Sequence, residues 1–196
     1  MKKLLIIAAL AMCCCKQQTA ECPYTFMGIP IEGTAEEFGQ KLIEKGFKKG
    51  FDVPGVEFLY ADCYSGELCS KTVIIRLHEQ CDKIHSVCAA FTLNGIDPYA
   101  TSWKYYNELK ELLVEKYDND EWIIMQDDPI FKIKDDQMHR DYLDSGYRFY
   151  YNIYPKNKDY DPVPYISLQE TTDLLTIEYK NPDTCNELLN NLSNDL

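Results

Sequence analysis

Along this chain, apolar residues recur in two rhythms, every second position or every third and fourth, and the switches between them predict the elements. From Phe26 to Phe47 (FMGIPIEGTAEEFGQKLIEKGF) a short apolar run gives way to helical spacing. Thr34 is placed as an N-cap and Glu37, three residues on, completes a capping box. Phe38, Leu42 and Ile43 share one helical face. Gly46 stands where a left-handed residue ends a helix, and Phe47 follows where it can touch Leu42. Val56, Phe58 and Tyr60 then alternate with their neighbours as a strand. Tyr64-Ser65-Gly66-Glu67 reads as a turn between Cys63 and Cys69. Lys71–His78 reads as a second strand burying Val73, Ile75 and Leu77, and Ser86–Leu93 as a third. Asn94-Gly95 and Asp97-Pro98 close this block.

Helical spacing returns over Ser102–Tyr117, where Tyr106, Leu109, Leu113 and Tyr117 form a stripe that Leu112 widens. Asp118–Gly146 is the least periodic stretch; Trp122–Met125 and Ile130–Ile133 read as short strands between acidic turns. Tyr147–Tyr154 alternates again, with Tyr147, Phe149, Tyr151 and Ile153 on one face. After a loop over Pro155–Pro164, Tyr165–Gln169 and Leu174–Tyr179 form a hairpin around Glu170–Asp173. Asn181 caps a last helix whose first residue is Pro182 and whose stripe is Leu188, Leu189 and Leu192.

The order is helix, three strands, helix, three or more strands, helix. Strands joined by short turns pair antiparallel, so the fold class expected is α+β: a mainly antiparallel sheet with about three helices on one face. Two helix-plus-three-strand halves are suggested, although no residue-level repeat supports them. Residues 22–196 are expected to be one such domain.

The first fifteen residues, MKKLLIIAALAMCCC, differ from the rest. Lys2 and Lys3 precede an apolar run, Leu4–Met12, that is too short to span a bilayer, which is the form of an export signal. Leu10-Ala11-Met12-Cys13 resembles a bacterial lipobox, although Met12 sits where a small residue is usual. The resemblance implies cleavage before Cys13 and lipid attached there, or at Cys14 or Cys15. A plain secretory signal cut near Ala9-Leu10-Ala11 is the competing reading. Lys16–Glu21 is a polar tether. Lys16-Gln17-Gln18-Thr19 has no acidic run, which favours the periplasmic face. The location expected is an outer-membrane or periplasmic lipoprotein, otherwise a secreted protein, with the membrane reached through the lipid only.

Composition narrows the functions. Of 196 residues, 45% are hydrophobic and 13% aromatic, too many for a chain that stays solvated. A formal net charge of −12 disfavours nucleic acid as a partner. Nine cysteines, less the three at 13–15, leave six at 22, 63, 69, 81, 88 and 185. An oxidising compartment favours disulfides. Cys63 with Cys69 is the preferred pair across the expected turn, and Cys22 with Cys185 would join the domain's ends.

His78, Cys81, His85 and Cys88 have zinc-like spacing. A Cys81–Cys88 disulfide with both histidines exposed is the preferred alternative, because strand-end side chains point to opposite faces. His139 reads as solvated in an acidic loop. Asp127-Asp128, Asp135-Asp136 and Asp159 with Asp161 are paired carboxylates, and such acidic turns are usually solvated. Asp118-Asn119-Asp120 begins like a calcium loop but lacks the glycine and the distal glutamate. No Gly-rich phosphate loop, nucleophile elbow or cofactor motif is present, so no cofactor and no enzyme activity are expected. Tyr150, Tyr154 and Tyr165 fall on the more polar faces of their strands. An exposed row of tyrosines suits a glycan or peptide, although packing under a helix is the preferred reading.

FMGIPIEGTAEEFGQKLIEKGF resembles the start of a group of small uncharacterised exported proteins and lipoproteins of Bacteroidetes-type bacteria. These share Gly-Ile-Pro-Ile (Gly28–Ile31 here) and a helix ending in Lys-Gly-Phe (Lys45–Phe47). The helix at Trp103–Tyr117 and the strand at Tyr147–Tyr154 fit the same plan, over roughly residues 24–180. In element order the chain is also similar to modules of outer-membrane-assembly lipoproteins and β-lactamase-inhibitor proteins. The resemblance implies an exported α+β domain. The function expected is a lipid-anchored envelope protein acting as a non-enzymatic binding or assembly module, with a protein or glycan partner. The alternatives are a secreted hydrolase or carbohydrate-processing accessory drawing on acidic residues of 118–146, and a protein inhibitor.

Overall fold

The computed structural model describes residues 22–50, 63–93, 97–126, 133–156, 163–172 and 174–194. The described chain opens with a tight hairpin, β1 (Thr25–Phe26) and β2 (Ile29–Pro30). Met27 and Gly28 join them, both at positive φ, as a two-residue turn between antiparallel strands requires. Helix α1 (Ala35–Glu44) carries the predicted caps. Thr34 Oγ1 accepts from the Glu37 amide, and Glu37 Oε2 accepts from the Thr34 amide. The Phe47 amide donates back to the Leu42 carbonyl.

Four strands follow: β3 (Lys48–Lys49), β4 (Cys63–Leu68), β5 (Lys71–Gln80) and β6 (Lys83–Phe91). Helix α2 (Pro98–Tyr117) leads to β7 (Trp122–Gln126), helix α3 (Asp136–Asp144), β8 (Phe149–Pro155), β9 (Ile166–Glu170), β10 (Leu175–Lys180) and helix α4 (Pro182–Asn194). The strands from β3 to β10 form one antiparallel sheet in the order β3-β4-β5-β6-β10-β9-β8-β7. Among the described residues each half supplies four strands that neighbour one another in chain order, against three expected for the first half and three or more for the second. The halves join through their last strands, β6 and β10.

One face of this sheet carries Val73, Ile75, Val87, Ala89, Leu175, Ile177, Ile166, Leu168, Phe149, Tyr151 and Ile153, all buried. Phe38 and Leu42 of α1, Tyr106, Leu109, Leu113 and Tyr117 of α2, and Leu143 of α3 close the same core. Each fully buried aliphatic or aromatic side chain contributes about 1.5–3 kcal/mol of transfer free energy. The β1–β2 hairpin adds Phe26 and Ile29 to it. Helix α4 instead leans on β6 near its start, where the Asn181 amide donates to the His85 carbonyl.

Several expectations are overturned. The described helices number four, because α3 lies inside the stretch read as strands between acidic turns. Asp135 is the N-cap of α3, its Oδ1 accepting from the Met138 amide at 2.8 Å, and Asp136 opens its first turn. That pair therefore serves a helix end. Asp97 and Pro98 start α2 as N-cap and first residue, rather than ending the preceding block.

Tyr64–Glu67 is not a turn but the body of β4. Tyr64 and Gly66 oppose Ile75 and Val73 on the apolar face. The turn falls at Cys69 and Ser70, both at positive φ. Gly66 is there for packing: a Cβ on it would collide with the Phe47 ring. The predicted strand at Val56–Ala61, the acids Asp127, Asp128, Asp159 and Asp161, most of Ile130–Ile133, and residues 1–21 lie outside the described residues, as do the side chains of Leu189 and Leu192.

The register also removes two predicted disulfides. Cys63 and Cys69 lie at opposite ends of β4, about 20 Å apart at strand rise, against a Cα separation of about 7 Å at most for a bridge. Cys81 sits at the tip of the β5–β6 turn, whereas Cys88 lies five residues beyond Lys83 along β6. None of the six described cysteines is disulfide-bonded.

Candidate functional site

Alternation along β8 sends Phe149, Tyr151 and Ile153 inward, and so sends Tyr150, Asn152 and Tyr154 outward. The same logic on β9 and β10 turns Ser167, Gln169, Thr176, Glu178 and Lys180 to that outer face. One row crosses seven strands: Met125, Asn152, Ser167, Glu178, Cys88, Arg76 and Cys63. At the corner beside His85 and Glu178, α4 and Val163 reach this face, and Cys63 at the far end of the row is also buried.

The face has two centres. The first is an open hollow of about 490 Å³ lined by Met125, Gln126, Tyr150, Asn152, Tyr154, Ser167 and Gln169. Tyr150 and Met125 are 37% and 51% exposed. None of the seven side chains is charged. Oδ1 of Asn152 is screened from solvent and has no hydrogen-bond partner among the described residues.

The second centre is polar and charged. It borders a hollow of about 240 Å³ lined by Gln80, His85, Val163, Glu178, Lys180, Cys185 and Leu188. Ser86 Oγ is 2.8 Å from Glu178 Oε1 and 3.0 Å from His78 Nδ1. A hydroxyl has one proton. With that proton on the Glu178 side, Nδ1 of His78 donates to Ser86. The same His78 Nδ1 also lies 3.6 Å from Glu178 Oε1, so one ring nitrogen faces both groups, whereas a nucleophilic serine needs histidine between them with a different ring nitrogen toward each. Ser86 is also fully buried. Lys180 Nζ is 3.1 Å from Glu178 Oε2. Burial pushes the Glu178 carboxyl up, but the His78 hydrogen bond, the Lys180 charge and the Ser86 hydroxyl outweigh it and hold the pKa at about 2.

Cys185 Sγ lies 3.9 Å from His85 Nδ1. The β5–β6 pairing skips His85, which is the extra residue of a bulge, and bulges re-aim side chains. Burial, and then the neighbouring His78, lower the His85 pKa.

Of the predicted metal set, the structure brings His78 and His85 together, with ring centroids 6.1 Å apart. It replaces Cys81 and Cys88 in their company with Glu178 and Cys185. Among the described residues no three His, Cys, Asp or Glu side chains form a group able to hold a metal ion. Cys22 and Cys185 both border Asn181: Asn181 Nδ2 is 3.6 Å from Cys22 Sγ, and the Cys185 amide donates to the Asn181 carbonyl.

Tyr165 is not on the outer face. It is 3% exposed, packs against Tyr24, Tyr117, Trp122 and Tyr179, and donates its hydroxyl to the Thr25 carbonyl. Burial pushes its pKa to about 12. The cause is position: Tyr165 precedes β9, and its hydroxyl reaches β1 across the core.

His139 is not solvated either. It lies on α3 at 0% exposure, with Nε2 3.1 Å from Glu170 Oε2 and Trp103 stacked on its ring. The pair ties α3 to β9 on the covered side of the sheet. Asn119 Oδ1 accepts from the Glu121 amide, a local turn between α2 and β7 that accounts for the calcium-like Asp118-Asn119-Asp120. Sequence reading missed Asn152, Ser167, Gln169, Met125 and Gln126. The signal was available for Asn152, Ser167 and Gln169, which fall at alternate positions of the strands β8 and β9.

No family model, no curated protein and no solved structure matches this chain.

Proposed function

We propose that this chain is an exported, lipid-anchored envelope protein whose open sheet face makes it a non-enzymatic binding module. One observation carries the binding reading. Two tyrosines and four neutral hydrogen-bonding side chains line an open hollow of about 490 Å³ on the outer face of the sheet. Ligand sites combine apolar and aromatic walls with a few placed polar groups in this way. Binding is favoured over hydrolysis because the Ser86, His78 and Glu178 groups are ordered wrongly for nucleophilic attack. The described aspartates Asp135 and Asp136 serve the start of α3.

The anchoring half of the proposal rests on Lys2, Lys3, the apolar run and Cys13–Cys15. The likeness of Gly28–Phe47 to exported proteins of Bacteroidetes-type bacteria agrees with it.

Two measurements test the reading. Full-length protein expressed in a bacterium with a lipoprotein pathway should incorporate a labelled fatty acid and sediment with membranes. Replacing Cys13, Cys14 and Cys15 by alanine should abolish both. Wild-type protein and the Tyr150→Ala variant, immobilised in parallel, should differ in what they retain from envelope extract. Identical retention by the two would remove the sheet face from the proposal.

A further inference from the structure

The geometry points to a neutral saccharide unit of a glycan as the occupant of the Tyr150–Asn152–Tyr154 hollow. This rests on the binding-module reading and specifies its ligand. Four independent features select the class.

The first is position on a face. β8 lies between β7 and β9, and its backbone N–H and C=O groups are engaged by their ladders. An extended peptide gains main-chain hydrogen bonds by joining a sheet edge; the edge here is β7, one strand away from the Tyr150, Asn152 and Tyr154 positions of β8. Recognition on this face has to come from side chains.

The second is charge. The chain carries a net −12, yet no lining residue of the hollow is charged. The nearest carboxylate in the row, Glu178, opposes Ser167 from β10 and is engaged by Ser86 and Lys180. An anionic ligand finds no cation in the lining to hold it, and a cationic one finds no carboxylate there.

The third is the hydrogen-bond inventory. Asn152, Gln169 and Gln126 each present a carboxamide, and Ser167 a hydroxyl. A carboxamide both donates and accepts, as a sugar hydroxyl does, so neighbouring hydroxyls can be met in pairs. Among the described residues the Asn152 carboxamide oxygen has no hydrogen-bond partner and is screened from solvent, so a ligand hydroxyl would meet it once the amide turns toward the hollow.

The fourth is the spacing of the rings. Tyr150 and Tyr154 stand on one side of β8 with Asn152 between them, about 13 Å apart at strand rise. Each tyrosine offers an apolar ring face to the C–H face of a sugar, with a polar tip beside it. The hollow's size falls within the range of about 300–1,000 Å³ usual for small-ligand sites.

The test is titration of the full chain with a fixed panel: cellohexaose, maltohexaose, chitohexaose and mannohexaose as neutral probes, hexagalacturonate as the anionic one, and a random decapeptide array. At least one neutral hexaose should bind. Tyr150→Ala and Asn152→Ala should each weaken it at least tenfold, while Tyr150→Phe stays within threefold and Glu187→Gln on α4 has no effect. Unchanged far-UV circular dichroism establishes that these surface variants fold. Preference for hexagalacturonate, or no neutral hexaose bound, overturns the saccharide assignment. Peptide binding sensitive to Tyr150→Ala, without sugar binding, overturns the assignment but keeps the binding face. Sugar binding indifferent to both alanine variants overturns the site itself.

Discussion

Glu178 and Cys88 stand directly opposite each other on β10 and β6, at the seam where the two four-strand halves of the sheet join. The seam is polar on its outer side: Ser86, Lys180, His78 and Arg76 complete it. Burial, and then the Glu178 charge, push the Cys88 thiol to about 11. The carboxylate meanwhile is held far below its ordinary range.

The Glu178 carboxyl falls from 4.5 to about 2 on folding. A depressed carboxyl stabilises the fold above its unfolded pKa, and that stability is lost as pH falls toward the folded value. The window is therefore about pH 4.5 down to about pH 2, and the whole effect is on the order of 3 kcal/mol. Glu178→Gln should be less stable than wild type at pH 7 and lose less on acidification across that window. Urea unfolding at a series of pH values measures it, and parallel acid limbs would exclude the assignment.

His139 and Glu170 make a buried pair with one atom on each side, Nδ1 and Oε1, that has no partner among the described residues. Removing one member of a buried pair strands the other and costs about 3–5 kcal/mol, whereas replacing both by apolar groups is often neutral. His139→Leu should therefore lower the unfolding free energy by about 3 kcal/mol. The double variant His139→Leu, Glu170→Leu should recover most of that loss. Denaturant melts of the four-member cycle decide it; additive losses would mean the pair is not coupled.

Gly66 sits in the interior of β4 with the Phe47 ring where a Cβ would go. Gly66→Ala should destabilise by about 1–3 kcal/mol through overpacking, although alanine is otherwise the better strand residue. A stabilised variant in thermal melts would place the ring elsewhere.

The thiols should separate by exposure. Cys69 and Cys81 are exposed, Cys63 is buried, and Cys88 is both half-buried and raised. Only the thiolate reacts, so limiting iodoacetamide at pH 8 should label Cys69 and Cys81 well before Cys88. Peptide mass spectrometry without reductant should find no Cys63–Cys69 or Cys81–Cys88 bridge. Either bridge would contradict the strand register.

What the sequence determined is local. The capping box of α1, the Tyr106, Leu109, Leu113 and Tyr117 stripe of α2, the alternation of β8 and the Asn181-Pro182 start of α4 all depend on residues within a turn or two of each other, and all hold, whereas Leu112 and Ile43, read onto the α2 and α1 faces, are exposed. Antiparallel pairing followed from turns too short for a crossover. The errors share one physical cause, that identical local signals serve different tertiary needs. Gly66 looked like a turn residue because packing against Phe47 is invisible in a window around it. Asp135-Asp136 and Asp97-Pro98 looked like loop acids and a block end, because a cap is recognisable only once a helix is seen to follow. His139 looked solvated because Glu170 and Trp103, its neighbours in space, are distant in sequence.

The functional face belongs to the tertiary structure for the same reason. Alternation assigned Tyr150 and Tyr154 to the outward side of β8. Only the strand order set Ser167 and Gln169 beside them, and only the β6–β10 seam brought Glu178 to Ser86 and His78. Period-two patterning tells which residues share a face. Which strands lie next to each other is settled by contacts far apart in the chain, and a ligand meets residues from several strands at once.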